Sequence, residues 1–127
     1  MDDEPVEWVD RYLLLYESPP SARARVPEFF PAHSAYADEF RVRHPGALVM
    51  IGPFPETEDG QPGAMSIFTS REAAEEFAPS DPFVVNQVVA RWYIRRWLVS
   101  AKDCHGAGHA GRRGRTARVR RTRLVTE

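Results

Sequence analysis

The chain has 127 residues, 43% of them apolar and 28% charged, which suits one globular domain closing a single core and leaves no room for a second. No stretch approaches the ~20 consecutive apolar residues of a membrane-spanning helix, and the acidic start Met1-Asp2-Asp3-Glu4-Pro5 lacks the positive region of a secretory signal, so a cytoplasmic protein is expected. The net charge of -1 conceals two materials: residues 1–99 hold 9 Lys and Arg against 16 Asp and Glu, while residues 100–127 hold 8 against 2.

Arg11 to Tyr16 is a short, mainly apolar run ended by Ser18-Pro19-Pro20, and predicts a first strand. From Val26 to Arg43, the residues Val26, Phe29, Phe30, His33, Tyr36, Ala37 and Phe40 recur at three- and four-residue spacings, which places them on one stripe of a helix. Pro27 suits a first turn but Pro31 does not suit an interior, so the regular part of the helix is expected to begin only at Pro31, to within a turn. Pro45-Gly46 ends it, and Ala47 to Gly52 reads as a second strand buried on both faces. An acidic, turn-rich segment, residues 56–63, leads into a third strand over Ala64 to Thr69, making a hairpin. Ser70 stands where an N-cap would stand, with Ala73, Ala74, Phe77 and Ala78 on the inner side of a second helix. After Asp81-Pro82-Phe83, the segment Val88 to Val99 reads as a fourth strand at a sheet edge.

Strand, helix, strand, strand, helix, strand is the order of a ferredoxin-like βαββαβ domain: α+β, with a four-stranded antiparallel sheet carrying two helices on one face. Strands one to three have apolar residues at consecutive positions, so the second face also needs cover. Closed two-fold assemblies are the commonest, and a homodimer packed sheet to sheet is expected. The folded domain is expected over 1–99. Residues 100–127, rich in glycine and arginine, predict a disordered extension that folding does not need.

Three groups of residues carry resemblance to a known family: Pro31-Ala-His33-Ser-Ala-Tyr36; Gly46 through Gly52-Pro53; and Gly63-Ala-Met-Ser-Ile-Phe68 followed by Ser70 through Phe77, Ser80-Asp81-Pro82-Phe83 and Trp92 to Trp97. In that order and spacing they resemble the YciI-like proteins of the YCII-related domain family, over roughly residues 11–98. The resemblance implies a dimeric α+β barrel and a site built on a His and Asp pair, which maps onto His33 and Asp81. A few relatives are lyase-type enzymes that remove chloride from chlorinated hydroxyquinones, an activity that fold resemblance alone does not transfer.

Imidazole titrates near neutral pH, so a carboxylate that fixes its tautomer makes it a usable base. His33 could equally be a helix histidine with one hydrogen bond, and Asp81 before Pro82 could simply cap a helical turn. Gly52 and Pro53 end a strand and would let a ligand approach the backbone, and Tyr36, one turn from His33, offers a phenolic donor or a core ring. Two functions compete: an acid/base enzyme acting on a small molecule, and a non-catalytic dimeric small-ligand-binding module. No nucleotide loop, nucleophile elbow or complete metal-ligand set occurs, so no cofactor is expected. Cys104, His105 and His109 suit zinc by type, but three candidates among glycines do not complete a site, and no metal is expected. Seven arginines fall between Arg112 and Arg123 with no aromatic among them, which gives base stacking no support and makes nucleic acid an unlikely partner.

Overall fold

The computed structural model describes residues 5–104 and the two-residue strand Arg120–Arg121. In chain order the elements are β1 (Glu7–Glu17), α1 (Pro20–Arg23), α2 (Val26–Arg43), β2 (Leu48–Pro53), β3 (Ala64–Phe68), α3 (Arg71–Ser80), α4 (Pro82–Val85), β4 (Arg91–Ser100) and β5 (Arg120–Arg121), with a 3₁₀ turn at Ala101–Asp103. The strands pair antiparallel in the order β2-β3-β1-β4, and β5 adds to the start of β1 with Glu7 opposite Arg121. This is the ferredoxin-like α+β architecture, with β4 at an edge. His105, His109 and the rest of the basic extension lie outside the described residues, apart from the β5 pair. No helix among the described residues is long and apolar enough to cross a membrane.

β1 outruns the apolar stretch that marks it in the sequence because β4 pairs with it from Trp8 opposite Ser100 to Glu17 opposite Arg91. Two cross-strand ion pairs, Arg91 to Glu17 at 3.0 Å and Arg96 to Asp10 at 2.8 Å, accommodate charges that interrupt the apolar pattern. Alternation along β1 sends Leu14 and Tyr16 toward the helices. There they join a core of Phe40 from α2, Phe68 from β3 and Ala74 and Phe77 from α3. The rings of Phe40 and Phe77 meet edge to face at 5.1 Å, and Phe68 approaches both. Leu13 and Leu15 point the other way, in register with Ile67 and Met65, and stand outside that cluster. Met50, opposite Ile67, and Trp97, opposite Arg11, are exposed.

Both main helices form where the sequence places them. Ser70 caps α3 by accepting a hydrogen bond from the Ala73 N–H at 3.1 Å. The first long helix begins earlier than Pro31: α2 starts at Val26 with Pro27 in its first turn, and Pro31 lies inside it at the loss of one backbone hydrogen bond. Two short helices complete the set, the second being the helical turn that Asp81-Pro82 offered to cap. α1 forms directly after Pro19. α4 occupies part of the β-branched stretch preceding the fourth strand, which begins at Arg91 rather than Val88. The reason is local: Pro82 in the first turn and the Asp81 side chain favour a helical turn. Gln87, at φ 63°, then turns the chain so that the N–H groups of Val88 and Val89 both donate to the Phe83 carbonyl.

Candidate functional site

Asp81 is the residue between α3 and α4, and its proline successor holds it in the extended conformation that ends one helix and opens the next. It is fully buried, at 0% exposure. Three donors converge on its carboxylate: the Phe83 N–H at 3.0 Å, the Tyr16 hydroxyl at 2.6 Å, and His33 Nδ1 at 2.9 and 3.0 Å from the two oxygens. The capping role and the histidine contact therefore coexist. These three donors offset the cost of burying the carboxylate.

His33 sits mid-way along α2, and its ring is clamped rather than merely tethered. Phe83 stacks on it with centroids 4.3 Å apart and planes 19° from parallel, and Phe30 lies 5.9 Å away. The carboxylate only accepts, so in the neutral ring the proton of the His33–Asp81 bond resides on Nδ1 and the lone pair on Nε2. Nε2 has no hydrogen-bond partner among the described residues and is not among the buried unpartnered atoms. His33 lines a cavity of about 590 Å³ between α2, the hairpin end of β2 and β3, and the inner face of the sheet. That volume falls in the range of small-molecule sites.

Gly52 and Pro53 line this cavity, as does Ser66, which is buried on β3. A Cβ built on Gly52 would meet nothing within 4 Å, so its backbone is open to a ligand rather than to protein. Tyr36 is not among the lining residues. Its hydroxyl donates to the Phe77 carbonyl at 2.8 Å, tying α2 to α3, and burial, with the Asp81 charge adding to it, pushes that phenol up. Phe30, counted on the helix stripe in the sequence, is 52% exposed because it faces the cavity rather than the core.

Tyr16 is the site residue that sequence reasoning missed. It lies 65 positions from Asp81 in the chain, and only the register of β1 in the sheet brings the two together. Burial first, and then the adjacent Asp81 charge, push its phenol far above the ordinary value, so it remains a donor to Asp81. Ser66 was legible in principle, as the polar residue within Ala-Met-Ser-Ile-Phe, the sequence of β3.

No family model matches the chain, and neither does any curated protein. Among solved structures it is similar to a 5-chloro-2-hydroxyhydroquinone dehydrochlorinase from Burkholderia phenoliruptrix in complex with 2,5-dihydroxybenzoquinone, at 20% identity and a TM-score of 0.54, covering 68% of this chain and 92% of that one. It is also similar to a candidate antibiotic biosynthesis monooxygenase from Caulobacter crescentus, at 17% identity and a TM-score of 0.43, covering 73% of this chain and 89% of that one. A cofactor-independent oxygenase from Streptomyces nogalater matches at 14% identity and a TM-score of 0.31, over 75% of this chain and 92% of that one. At these identities the likeness to the dehydrochlorinase is one of fold: a ferredoxin-like α+β protomer of the dimeric α+β barrel type, a fold that enzymes of small molecules use.

Proposed function

We propose that the chain is a YciI-like acid/base enzyme acting on a small ring compound that carries an acidic hydroxyl or a carbonyl. The observation behind this reading is the His33 ring, held through Nδ1 by a buried Asp81 at 2.9 Å, with its other nitrogen left to a ligand-sized cavity. Nε2 takes a proton from a ligand O–H, or from a C–H next to a carbonyl, and the imidazolium so formed is stabilised by Asp81. Tyr16 and the Phe83 N–H hold the carboxylate in place during that change of charge. In a lyase-type outcome, the electron pair of the broken C–H bond forms a new C=C bond and expels a leaving group such as chloride, and His33 returns its proton to solvent. The dehydrochlorinase, similar in fold, bears a name of that chemistry.

The same reading makes the protein a homodimer that covers the sheet face carrying Leu13, Ile67 and the exposed Met50 and Trp97, since wet apolar patches of that kind are rare on monomers.

The test is turnover, read by chloride release and by ultraviolet absorbance, across hydroxylated quinones and hydroquinones with and without ring chlorine. His33→Asn is expected to lower turnover by about 10²-fold or more while its circular dichroism stays that of the wild type. Ring compounds that bind the wild type, with none turned over, would overturn the enzyme reading in favour of a dimeric small-ligand-binding module.

A further inference from the structure

The charged and aromatic groups at one end of the cavity have no part in the proton transfer described above. Arg23, at the end of α1, lines the cavity with its side chain 30% exposed. Its Nη2 donates to Asp59 Oδ1 at 3.0 Å, a carboxylate on the loop between β2 and β3 whose side chain is 78% exposed. Its Nε is buried without a hydrogen-bond partner, the single side-chain nitrogen or oxygen in that condition among the described residues. Nε and Nη2 form one edge of the guanidinium fork, the edge that matches the two oxygens of a carboxylate. In the structure that edge is half used, by an exposed partner of the kind that contributes little.

Two of the phenylalanines lining the same cavity are open, Phe30 at 52% and Phe54 at 42% exposure. Rings left open in a pocket offer faces to a planar ligand. Phe30 is also the ring 5.9 Å from His33, so a ligand resting on it lies beside the imidazole. The other charged lining residues, Asp38 and Arg41, stand roughly 12 and 16 Å further along α2 from Phe30. Their opposite signs, one turn apart, leave no net charge at that end.

We infer that the cavity takes an aryl carboxylate, its ring on Phe30 and Phe54 beside His33 and its anionic group on the Nε and Nη2 edge of Arg23. The inference rests on the reading of this cavity as the substrate site and names the substrate class. Asp59 then acts as a competitor for Arg23, held there until an anion replaces it.

The probes are 2,5-dihydroxybenzoate and its methyl ester, which differ in the charge and in one methyl group, measured by calorimetry at low salt on the full chain. The acid is expected to bind at least tenfold more tightly than the ester. Arg23→Gln should abolish that preference. Asp59→Asn should enlarge it, because the fork loses its competitor, while Phe54→Ala should weaken both probes alike. If the ion pair only braces the loop, Arg23→Gln and Asp59→Asn shift binding in the same direction, and the inference is overturned. Equal affinity for acid and ester, or binding of neither, overturns it as well. Asp59 is exposed, so its variant decides the question even where Arg23→Gln lowers stability. A preference for the acid that survives His33→Asn, in a protein that turns over none of the ring compounds, would sink the acid/base reading and leave the inference intact.

Discussion

Replacing Tyr16 by Phe keeps the buried ring and deletes one oxygen, the donor 2.6 Å from Asp81. A hydrogen bond to a charged group is worth about 1.5–3 kcal/mol, so the variant should be roughly 2 kcal/mol less stable at neutral pH. The gap must also depend on pH. The folded protein holds the Tyr16 phenol well above its ordinary value, by burial first and the Asp81 charge second, whereas the unfolded chain ionises it near pH 10. Tyr16 therefore stabilises fully below about pH 10 and loses about 1.4 kcal/mol per unit above it. The phenylalanine variant has no such loss. By pH 11 the difference should have shrunk to roughly 0.6 kcal/mol. Urea unfolding of both proteins at pH 7, 9, 10 and 11 measures this directly, and groups common to both cancel in the comparison. A gap that stays constant from pH 7 to 11 would show that Tyr16 ionises normally when folded and would refute the buried triad of Tyr16, Asp81 and His33.

Asp81→Asn keeps the Phe83 cap through its carbonyl but presents an amide N–H₂ where two donors arrive, so a loss of about 2–4 kcal/mol is expected by thermal unfolding, together with loss of turnover. Ser70→Ala should cost about 1 kcal/mol through the lost α3 cap and leave ligand affinity unchanged, because the cap lies outside the cavity. Leu13→Asp, on the sheet face away from the helices, should halve the mass seen by light scattering, and a wild type that is already monomeric at micromolar concentration would refute the dimer. Phe77→Ala, in the fully buried ring cluster, should destabilise by about 3–5 kcal/mol in urea unfolding.

The four main strands and two long helices were legible because each obeys a period: three and four residues along Val26 to Phe40, an apolar run in each of the first three strands, a cap at Ser70. What escaped was decided by contacts distant in the chain or by single-turn geometry. β1 reads as six residues until β4 lends it partners for its charged ends. α4 is invisible to periodicity because four residues cannot show one, although Asp81-Pro82 announced the turn. The pairing of His33 with Asp81 spans 48 positions, and it came from family resemblance rather than from spacing. Tyr16 had neither a motif nor a neighbour to mark it, and nothing in the sequence set Arg23 apart before the fold placed it on the cavity wall.

The central claim is that Asp81 holds the His33 proton on Nδ1 and leaves Nε2 as the base. Long-range proton–nitrogen NMR of the imidazole in the ligand-free protein reads the tautomer directly. The account requires an Nδ1–H ring in the wild type, and a change of tautomer in Asp81→Asn, whose amide can donate to Nδ1. An Nε2–H ring in the wild type, or a tautomer indifferent to Asp81→Asn, would contradict it.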